Sequence, residues 1–287
     1  MKVSGKTRLI GLLGDPISHS LSPAMHNLSF EDKAEDYVYL CLPTGKDRLK
    51  ESLEALKNFG AKGSNITYPN KIEILKYLDR ESEEVKIIGS CNTLLIDDNK
   101  KVIGYNTDGK GFVKSLEENN IDFKNKKIAI MGCGGAGSAI ITAILMAGAE
   151  EILVKEMDLE KAENFKKKIL TFIPNVKITI AKDEKYFGEK LEKGSLLINA
   201  TPCGMAKNEK IFPINPEILR GKDLILYDII YSPLESPLIK KCKEYGYKTF
   251  NGINMMINQG AISFKIWTGK DMNIEKVKKE ILKLIES

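Results

Sequence analysis

Two open α/β sheets, each in its own domain, are the architecture this sequence predicts, and three observations carry that expectation. Short apolar runs alternate with helix-period patterns from one end of the chain to the other, the arrangement that builds βαβ units and parallel sheets. A fresh series of six such runs starts at KKIAIMG (126–132), which is the strand count of one doubly wound unit. The chain has 287 residues, 43% of them apolar, enough for the cores of two domains.

Taken in order, RLIGLLG (8–14), YVYLCL (37–42) and GSNIT (63–67) read as the first strands. Between the second and third, Leu49, Leu53 and Leu56 recur at i, i+4 and i+7 and Gly60 follows as a stop, which predicts an amphipathic helix. TLLIDDNKKVIGYN (93–106) reads as two strands joined by an Asp-Asn turn, a hairpin inside an otherwise parallel pattern. KKIAIMG, EILVKE, VKITIA, LLINA, DLILYDII and KTFNG make up the second series. The tail MNIEKVKKEILKLI puts Ile274, Val277, Ile281 and Leu284 on one face of a docking helix. No internal repeat or low-complexity stretch interrupts this order. The predicted domains are 1–104, completed by C-terminal helices at about 252–287, and 105–251, with a change of sheet rather than a flexible linker at the boundary.

Composition removes several function classes. Subtracting 39 acidic from 44 basic side chains leaves +5, and the lysines are interspersed with glutamates instead of gathered in a stripe, so no nucleic-acid partner is expected. The five cysteines (Cys41, Cys91, Cys133, Cys203, Cys242) are an odd set without CxxC spacing, which argues against a disulfide framework or a zinc site and fits a reducing cytoplasm. The two histidines, His19 and His26, lack metal-ligand spacing, so no metal is expected. The opening MKVSGKTRLIGLLGDP is basic, but Asp15 and Pro16 cut its apolar stretch short of a signal peptide. AIITAILMAGA (139–149) falls well short of the ~20 residues that cross a bilayer. The expectation is a soluble cytoplasmic protein, monomer or homodimer, with a small-molecule partner and no membrane partner.

Gly132-Cys133-Gly134-Gly135-Ala136-Gly137 satisfies GxGxxG. Alone the pattern is weak, because any tight strand-to-helix turn produces it. Its context, the strand KIAIM before and the run SAIITAILMAG after, points to a Rossmann-type dinucleotide-binding domain: missing side chains admit a pyrophosphate, whose charge meets the helix N-terminus. The next strand runs into ILVKEMD (152–158), and Glu156 lies about twenty residues past Gly137, where an acid accepts hydrogen bonds from a ribose 2′-hydroxyl. Capping of a helix near Leu159 by Glu156 and Asp158 is the plainer alternative.

A nicotinamide cofactor calls for a partner domain that holds an alcohol or carbonyl and for a group that moves a proton as hydride moves. Lys71, in NITYPNKIEIL, is the leading candidate. Pro69 ends the strand NIT and opens a helix pattern, which places Lys71 at a strand's carboxyl end, where open α/β sheets form clefts. A lysine in a first helical turn opposes the dipole, so helix stability does not explain it, although a solvated surface lysine is the alternative. Asp108, in GYNTDGKG, suits a turn or a cap, yet beside Lys71 its charge would hold the lysine toward a substrate hydroxyl. In DPISHSLSPAMHN (15–27), Ser20 and Ser22 either cap the helix that Pro23 opens, Ser22 above all, or receive a carboxylate. His19 and His26 read as structural or surface residues.

HSLSP with His26-Asn27, GSNITYPNK, IGSCNT, GYNTDG, GCGGAG, INATPCGM, YDIIYSPLESPLI and NGINMMINQGA stand in the order and approximate spacing of one family. Through them the chain resembles the shikimate dehydrogenase family along nearly its whole length. The resemblance implies an enzyme that interconverts 3-dehydroshikimate and shikimate with NAD or NADP, on the route through chorismate to the aromatic amino acids. It implies Lys71 as catalytic lysine and Asp108 as its partner, with Ser20 and Ser22 as the hydroxyls that bind the carboxylate. Thr67, Asn92, Asp108 and Gln259 correspond to partners of the ring hydroxyls or reacting carbonyl, and Tyr231 to a tyrosine near the carboxylate. On the cofactor side the resemblance implies the turn from Gly132 to Gly137, Asn199, Ala200 and Thr201 at the nicotinamide half, and Gly252 in the closing motif.

The chain departs from the family pattern in places. Gly89-Ser90-Cys91-Asn92-Thr93 stands where the family has GAVNT, and Asn254 replaces the second glycine of the closing motif, a residue type that visits left-handed backbone readily. Pro69-Asn70-Lys71 is similar to the branch that also oxidises quinate. A quinate/shikimate dehydrogenase using NAD in catabolism is therefore the alternative enzyme. A non-catalytic sensor of the same acids is a different class, against which the intact Lys71 and Asp108 argue. In the NADP-dependent members that the chain resembles, the second strand ends in Asn-Arg-Thr. Here those positions are Glu156, Met157 and Asp158, with Lys161 the remaining basic residue, so NAD is expected to be preferred.

Overall fold

The computed structural model describes residues 3–205 and 208–286. It divides into two compact units, Met1–Gly111 with Ile257–Ser287, and Phe112–Met256. In the first unit the chain runs β1 (Arg8–Gly14), α1 (Ser22–Asp32), β2 (Tyr37–Pro43), α2 (Leu49–Asn58), β3 (Gly63–Ile66), β4 (Arg80–Glu81), α3 (Glu83–Ile88), β5 (Thr93–Ile96) and β6 (Val102–Tyr105), then into α4 (Asp108–Glu118). The sheet order is β2-β1-β3-β5-β6-β4. β1 lies parallel to β2 and β3, whereas β5 runs antiparallel to both β3 and β6, so the hairpin expected over 93–106 makes this sheet mixed.

Leu49, Leu53 and Leu56 are at most 2% exposed and fix α2 on the sheet, since burying a leucine contributes about 1.5–3 kcal/mol. Gly60, at φ +67°, then turns the chain through the left-handed region that closes a helix. At the sheet edge, the Asn27 side chain from α1 donates to the Tyr39 carbonyl at 3.0 Å and accepts from the Tyr39 N–H at 2.8 Å. One amide side chain thereby occupies two of the edge groups that a further strand would use.

The second unit runs β7 (Ile128–Met131), α5 (Gly135–Met146), β8 (Glu151–Lys155), α6 (Leu159–Phe172), β9 (Lys177–Ile180), α7 (Glu184–Lys190), β10 (Leu196–Asn199), β11 (Ile225–Asp228), α8 (Pro237–Glu244) and β12 (Lys248–Phe250), then into α9 (Ile253–Thr268). All its strands are parallel, in the order β12-β11-β10-β7-β8-β9. The order reverses direction between β7 and β10, and sheets of this kind bind ligands at the carboxyl ends beside that point. Every residue of β7 and β10 is buried, as a parallel strand covered on both faces requires.

α9 carries the chain back into the first unit, followed by α10 (Ile274–Glu286). Val277 and Ile281 of α10 are 1% exposed, but Leu284 is 43% exposed, so the docking face is narrower than the apolar spacing suggests. The helix expected from Pro69 onward is instead a 3₁₀ helix over Glu73–Tyr77, and Lys71 sits in the turn before it. Distant partners hold the turn: the Lys71 carbonyl accepts from the Cys91 N–H at 2.8 Å, and the Asn70 side chain donates to the Thr44 carbonyl at 2.8 Å. The Ile74 N–H bonds the Asn70 carbonyl at 3.0 Å as in an α-helix, but the Leu75 N–H turns to the Ile72 carbonyl at 3.2 Å and the ladder continues as 3₁₀. Among the described residues no helix is long and apolar enough to cross a membrane.

Candidate active site

In the first unit, Lys71 and Asp108 meet, although 37 residues separate them in sequence: Lys71 Nζ donates to Asp108 Oδ2 at 2.6 Å. Asp108 opens α4 but caps nothing with its carboxylate; its other oxygen accepts from Asn92 Nδ2 at 2.8 Å. Asp108 is 6% exposed, and its buried charge is compensated by one cation and one amide. Asn92 Oδ1 accepts from the Thr107 N–H at 2.9 Å and from Thr93 Oγ1 at 3.0 Å, which fixes the direction of the amide. Gln259 Oε1 lies 3.4 Å from both Asn92 Nδ2 and Thr107 Oγ1. Gly111 permits this approach of α9, because a Cβ there would come 2.6 Å from the Gln259 nitrogen.

Thr67 follows β3 half-buried, its N–H on the Leu13 carbonyl at 3.0 Å. Ser22, expected to cap α1, is the first residue of that helix; Leu21 is the cap and supplies no side-chain bond. Ser20 Oγ instead accepts from the Ser22 N–H at 3.2 Å, so Ser20 satisfies one of the free donors at the start of α1 while the Ser22 side chain caps nothing. His19 is exposed. His26 is buried, with neither ring nitrogen hydrogen-bonded, and among the described residues no group of three His, Cys, Asp or Glu side chains is placed to hold a metal.

In the second unit the glycine turn fits a dinucleotide. Gly132 adopts φ +96°, open to glycine at little cost, and a Cβ on Gly137 would fall on the Gly132 carbonyl. A Cβ at Gly134, the cap residue of α5, would meet nothing within 4 Å, so the space before the helix N-terminus is clear for a phosphate group. Gly135 and Ala136 form the first turn of that helix. Glu156 Oε2 accepts from the Cys133 N–H at 2.7 Å, while Oε1 accepts from Met157 N–H at 2.8 Å and Asp158 N–H at 3.3 Å. The capping alternative holds for Asp158, which accepts from the Lys161 N–H at 3.0 Å at the start of α6, and not for Glu156. Met157 is 93% exposed. The Cys133 thiol is pushed up to about 12, chiefly by burial and then by Glu156, so it is unreactive.

At the end of β10, Asn199 Nδ2 donates to Asp228 Oδ1 at 3.0 Å and its Oδ1 accepts from Thr201 Oγ1 at 2.7 Å; the Ala200 N–H donates to the Met131 carbonyl at 2.8 Å. These bonds shape the loop beside the reversal of strand order. Burial pushes the Asp228 carboxyl up to about 6 against the opposing bonds from Ser236, Ile230 and Asn199. Burial also raises the Tyr231 phenol. Gly252 packs where a Cβ would fall on the Ile229 carbonyl. Sequence reading missed Thr93, Thr107 and Ser263 around Asn92; small polar residues where β5 and α4 begin were a signal for the first two, and none near α9 pointed to Ser263.

A doubly wound unit with a glycine turn and an acidic strand end, and an α/β unit in which a buried carboxylate holds a lysine among amides and hydroxyls, define a nicotinamide-dependent oxidoreductase. The family model of the shikimate dehydrogenase substrate binding domain matches residues 12–94, and that of the shikimate 5′-dehydrogenase C-terminal domain matches residues 252–282. A shikimate dehydrogenase (NADP(+)) from Alkaliphilus metalliredigens is 42% identical over 282 residues, covering 98% of each chain. A crystal structure of a shikimate dehydrogenase in complex with NADP+ superposes with a TM-score of 0.89 at 39% identity, covering 99% of this chain and 98% of the other. The shikimate 5-dehydrogenase from Listeria monocytogenes, in complex with shikimate and NAD, gives 0.88 at 34% identity over 98% of each chain. The chain belongs to the shikimate dehydrogenase family, whose NAD(P)-dependent oxidoreductase activity it shares.

Proposed function

We propose that the chain interconverts 3-dehydroshikimate and shikimate, with Lys71 moving the proton at the C3 oxygen and Asp108 holding Lys71 for that task. The observation that carries this reading is the 2.6 Å contact between Lys71 Nζ and Asp108 Oδ2, with the second carboxylate oxygen fixed by Asn92. A bound nicotinamide supplies or accepts the hydride. In reduction Lys71 gives its proton to the carbonyl oxygen; in oxidation it accepts the hydroxyl proton. Thr67, Asn92 and Gln259 serve the ring hydroxyls, Ser20 and Ser22 the carboxylate, with Tyr231 near it. Residues 1–104 and 252–287 act as the substrate domain and 105–251 as the dinucleotide domain. We further read the protein as a cytoplasmic monomer or homodimer in aromatic amino acid biosynthesis.

Shikimate is preferred to quinate because the relatives compared are shikimate dehydrogenases; Asn70, whose identity opened the quinate reading, is fully buried with its NH2 group on the Thr44 carbonyl and its Oδ1 without a hydrogen bond. The carboxylate role is tested with Ser20→Ala and Ser22→Ala. Each is expected to raise KM for shikimate about 10- to 150-fold, the equivalent of one hydrogen bond to a charged group, and the double variant further. Unchanged KM in both would place the carboxylate elsewhere.

The family members compared hold NADP+ in one case and NAD in another, so the choice rests on this chain's own residues after β8. A 2′-phosphate there would meet the Glu156 carboxylate, whereas a free 2′-hydroxyl would donate to it. NAD is expected to give the higher catalytic efficiency, with Lys155 and Lys161 narrowing the margin. Glu156→Ala with Met157→Arg is expected to move the ratio of efficiencies toward NADP. A clear NADP preference in the wild type would refute this assignment.

A further inference from the structure

A buried polar chain crosses the first unit through residues without an assigned part in the reaction. Tyr39, on β2, donates from Oη to Asn65 Oδ1 at 2.8 Å. Asn65, inside β3, shares its Nδ2 protons among the Asn92 carbonyl at 3.1 Å, Thr93 Oγ1 at 3.0 Å and Ser263 Oγ at 3.3 Å. Thr93 in turn donates to Asn92 Oδ1 at 3.0 Å, and Asn92 Nδ2 reaches Asp108. Tyr39, Asn65, Thr93 and Ser263 are all 7% exposed or less.

Two features separate this chain from ordinary packing. Rotated by half a turn, the Asn92 amide would set its oxygen against the Asp108 carboxylate and its NH2 group against the Thr107 N–H, so only one orientation serves. Asn65, by donating to Thr93 Oγ1, leaves the single Thr93 proton for Asn92 Oδ1 or Ser263 and so favours that orientation. Asn65 also accepts from the Tyr39 phenol. A polar side chain in a wholly buried strand costs free energy unless it is hydrogen-bonded, and here its bonds run from β2 to Asn92 and Thr93.

We propose that Tyr39 and Asn65 are positioning residues that hold the Asn92–Asp108–Lys71 group in one fixed arrangement. This inference rests on the reading of Asn92, Lys71 and Asp108 given above.

Tyr39→Phe removes one oxygen and keeps the ring that stacks on His26. It is expected to lower kcat and raise KM for shikimate together, for a loss in kcat/KM of about three- to tenfold. It is also expected to displace the kcat profile along the pH axis and to speed exchange of the Thr107 amide proton, which bonds Asn92 Oδ1. Phe30→Leu, a cavity in the same core outside the polar chain, is expected to lower the unfolding midpoint with none of these changes. Thr107 exchange requires no turnover. If the wild type does not oxidise shikimate, the functional reading fails while exchange still decides between positioning and packing. Wild-type Thr107 exchange in Tyr39→Phe would overturn the inference, and so would kinetic losses that Phe30→Leu reproduces at equal loss of stability.

Discussion

Lys71→Ala is expected to lower kcat for shikimate oxidation by about 10²- to 10⁴-fold, the usual contribution of a positioned acid–base group, while KM changes far less. The asymmetry follows from where the charge develops. Proton transfer belongs to the transition state, whereas hydroxyls and amides around the lysine bind the ring in the ground state as well. The substitution also leaves Asp108 buried without its cation, keeping only Asn92 as a partner, so some loss of stability accompanies it. Measuring the unfolding midpoint beside the kinetics separates the two effects. A variant that keeps more than about a tenth of wild-type activity would remove Lys71 from the proton-transfer role. Asp108→Asn is expected to lose both rate and substrate binding, since it touches Lys71 and Asn92 at once.

The second large effect concerns acid stability. His26 is fully buried, stacked on Tyr39 at 4.6 Å and edge-on to Trp267 at 5.1 Å, and burial lowers its pKa from 6.5 to about 3. Between those values the unfolded chain binds a proton that the folded one refuses. The contribution is therefore fully present above pH 6.5 and lost as pH falls toward 3, at roughly 1.4 kcal/mol per pH unit and about 5 kcal/mol in all. Asp228 acts with the opposite sign. Its carboxyl is raised from 3.8 to about 6, so the folded state holds the proton longer, and stability present at low pH falls by about 3 kcal/mol as pH rises through that window. The two partly cancel in the wild type, and a difference between variants exposes each. His26→Phe keeps a flat ring and sacrifices no hydrogen bond, because neither nitrogen has a partner. It is expected to change stability little at pH 7 and to flatten the loss between pH 6.5 and 4, as read by denaturant unfolding. A wild-type slope in the variant would show that His26 does not control acid unfolding.

The sequence disclosed what local periodicity and turn chemistry encode. The leucine spacing of α2 and the alternation through β7 to β12 survive because each is set by neighbours a few residues away. The glycine turn was legible for the same reason, each glycine answering a backbone demand within its own βα unit. What escaped depends on distant partners. Nothing near Lys71 foretells that its carbonyl bonds to Cys91, which replaces the expected helix with a 3₁₀ turn. Ser22 looked like a cap because Pro23 follows it, but the helix begins one residue early and Leu21 takes the cap position. The Asn65–Ser263 contact spans 198 positions, and only a polar residue stranded in an apolar strand hinted at it. β4 has two residues, too few to show any period.

The most direct measurement is the rate at which the wild-type enzyme reduces NAD+ and NADP+ with shikimate, set beside quinate under the same conditions and beside Lys71→Ala. The expected result is shikimate-dependent reduction, more efficient than with quinate, higher with NAD+ than with NADP+, and nearly abolished in the variant. Absence of shikimate-dependent reduction with either dinucleotide, or equal rates in wild type and Lys71→Ala, would contradict the assignment of Lys71 and Asp108 as the proton-transfer pair of a shikimate dehydrogenase.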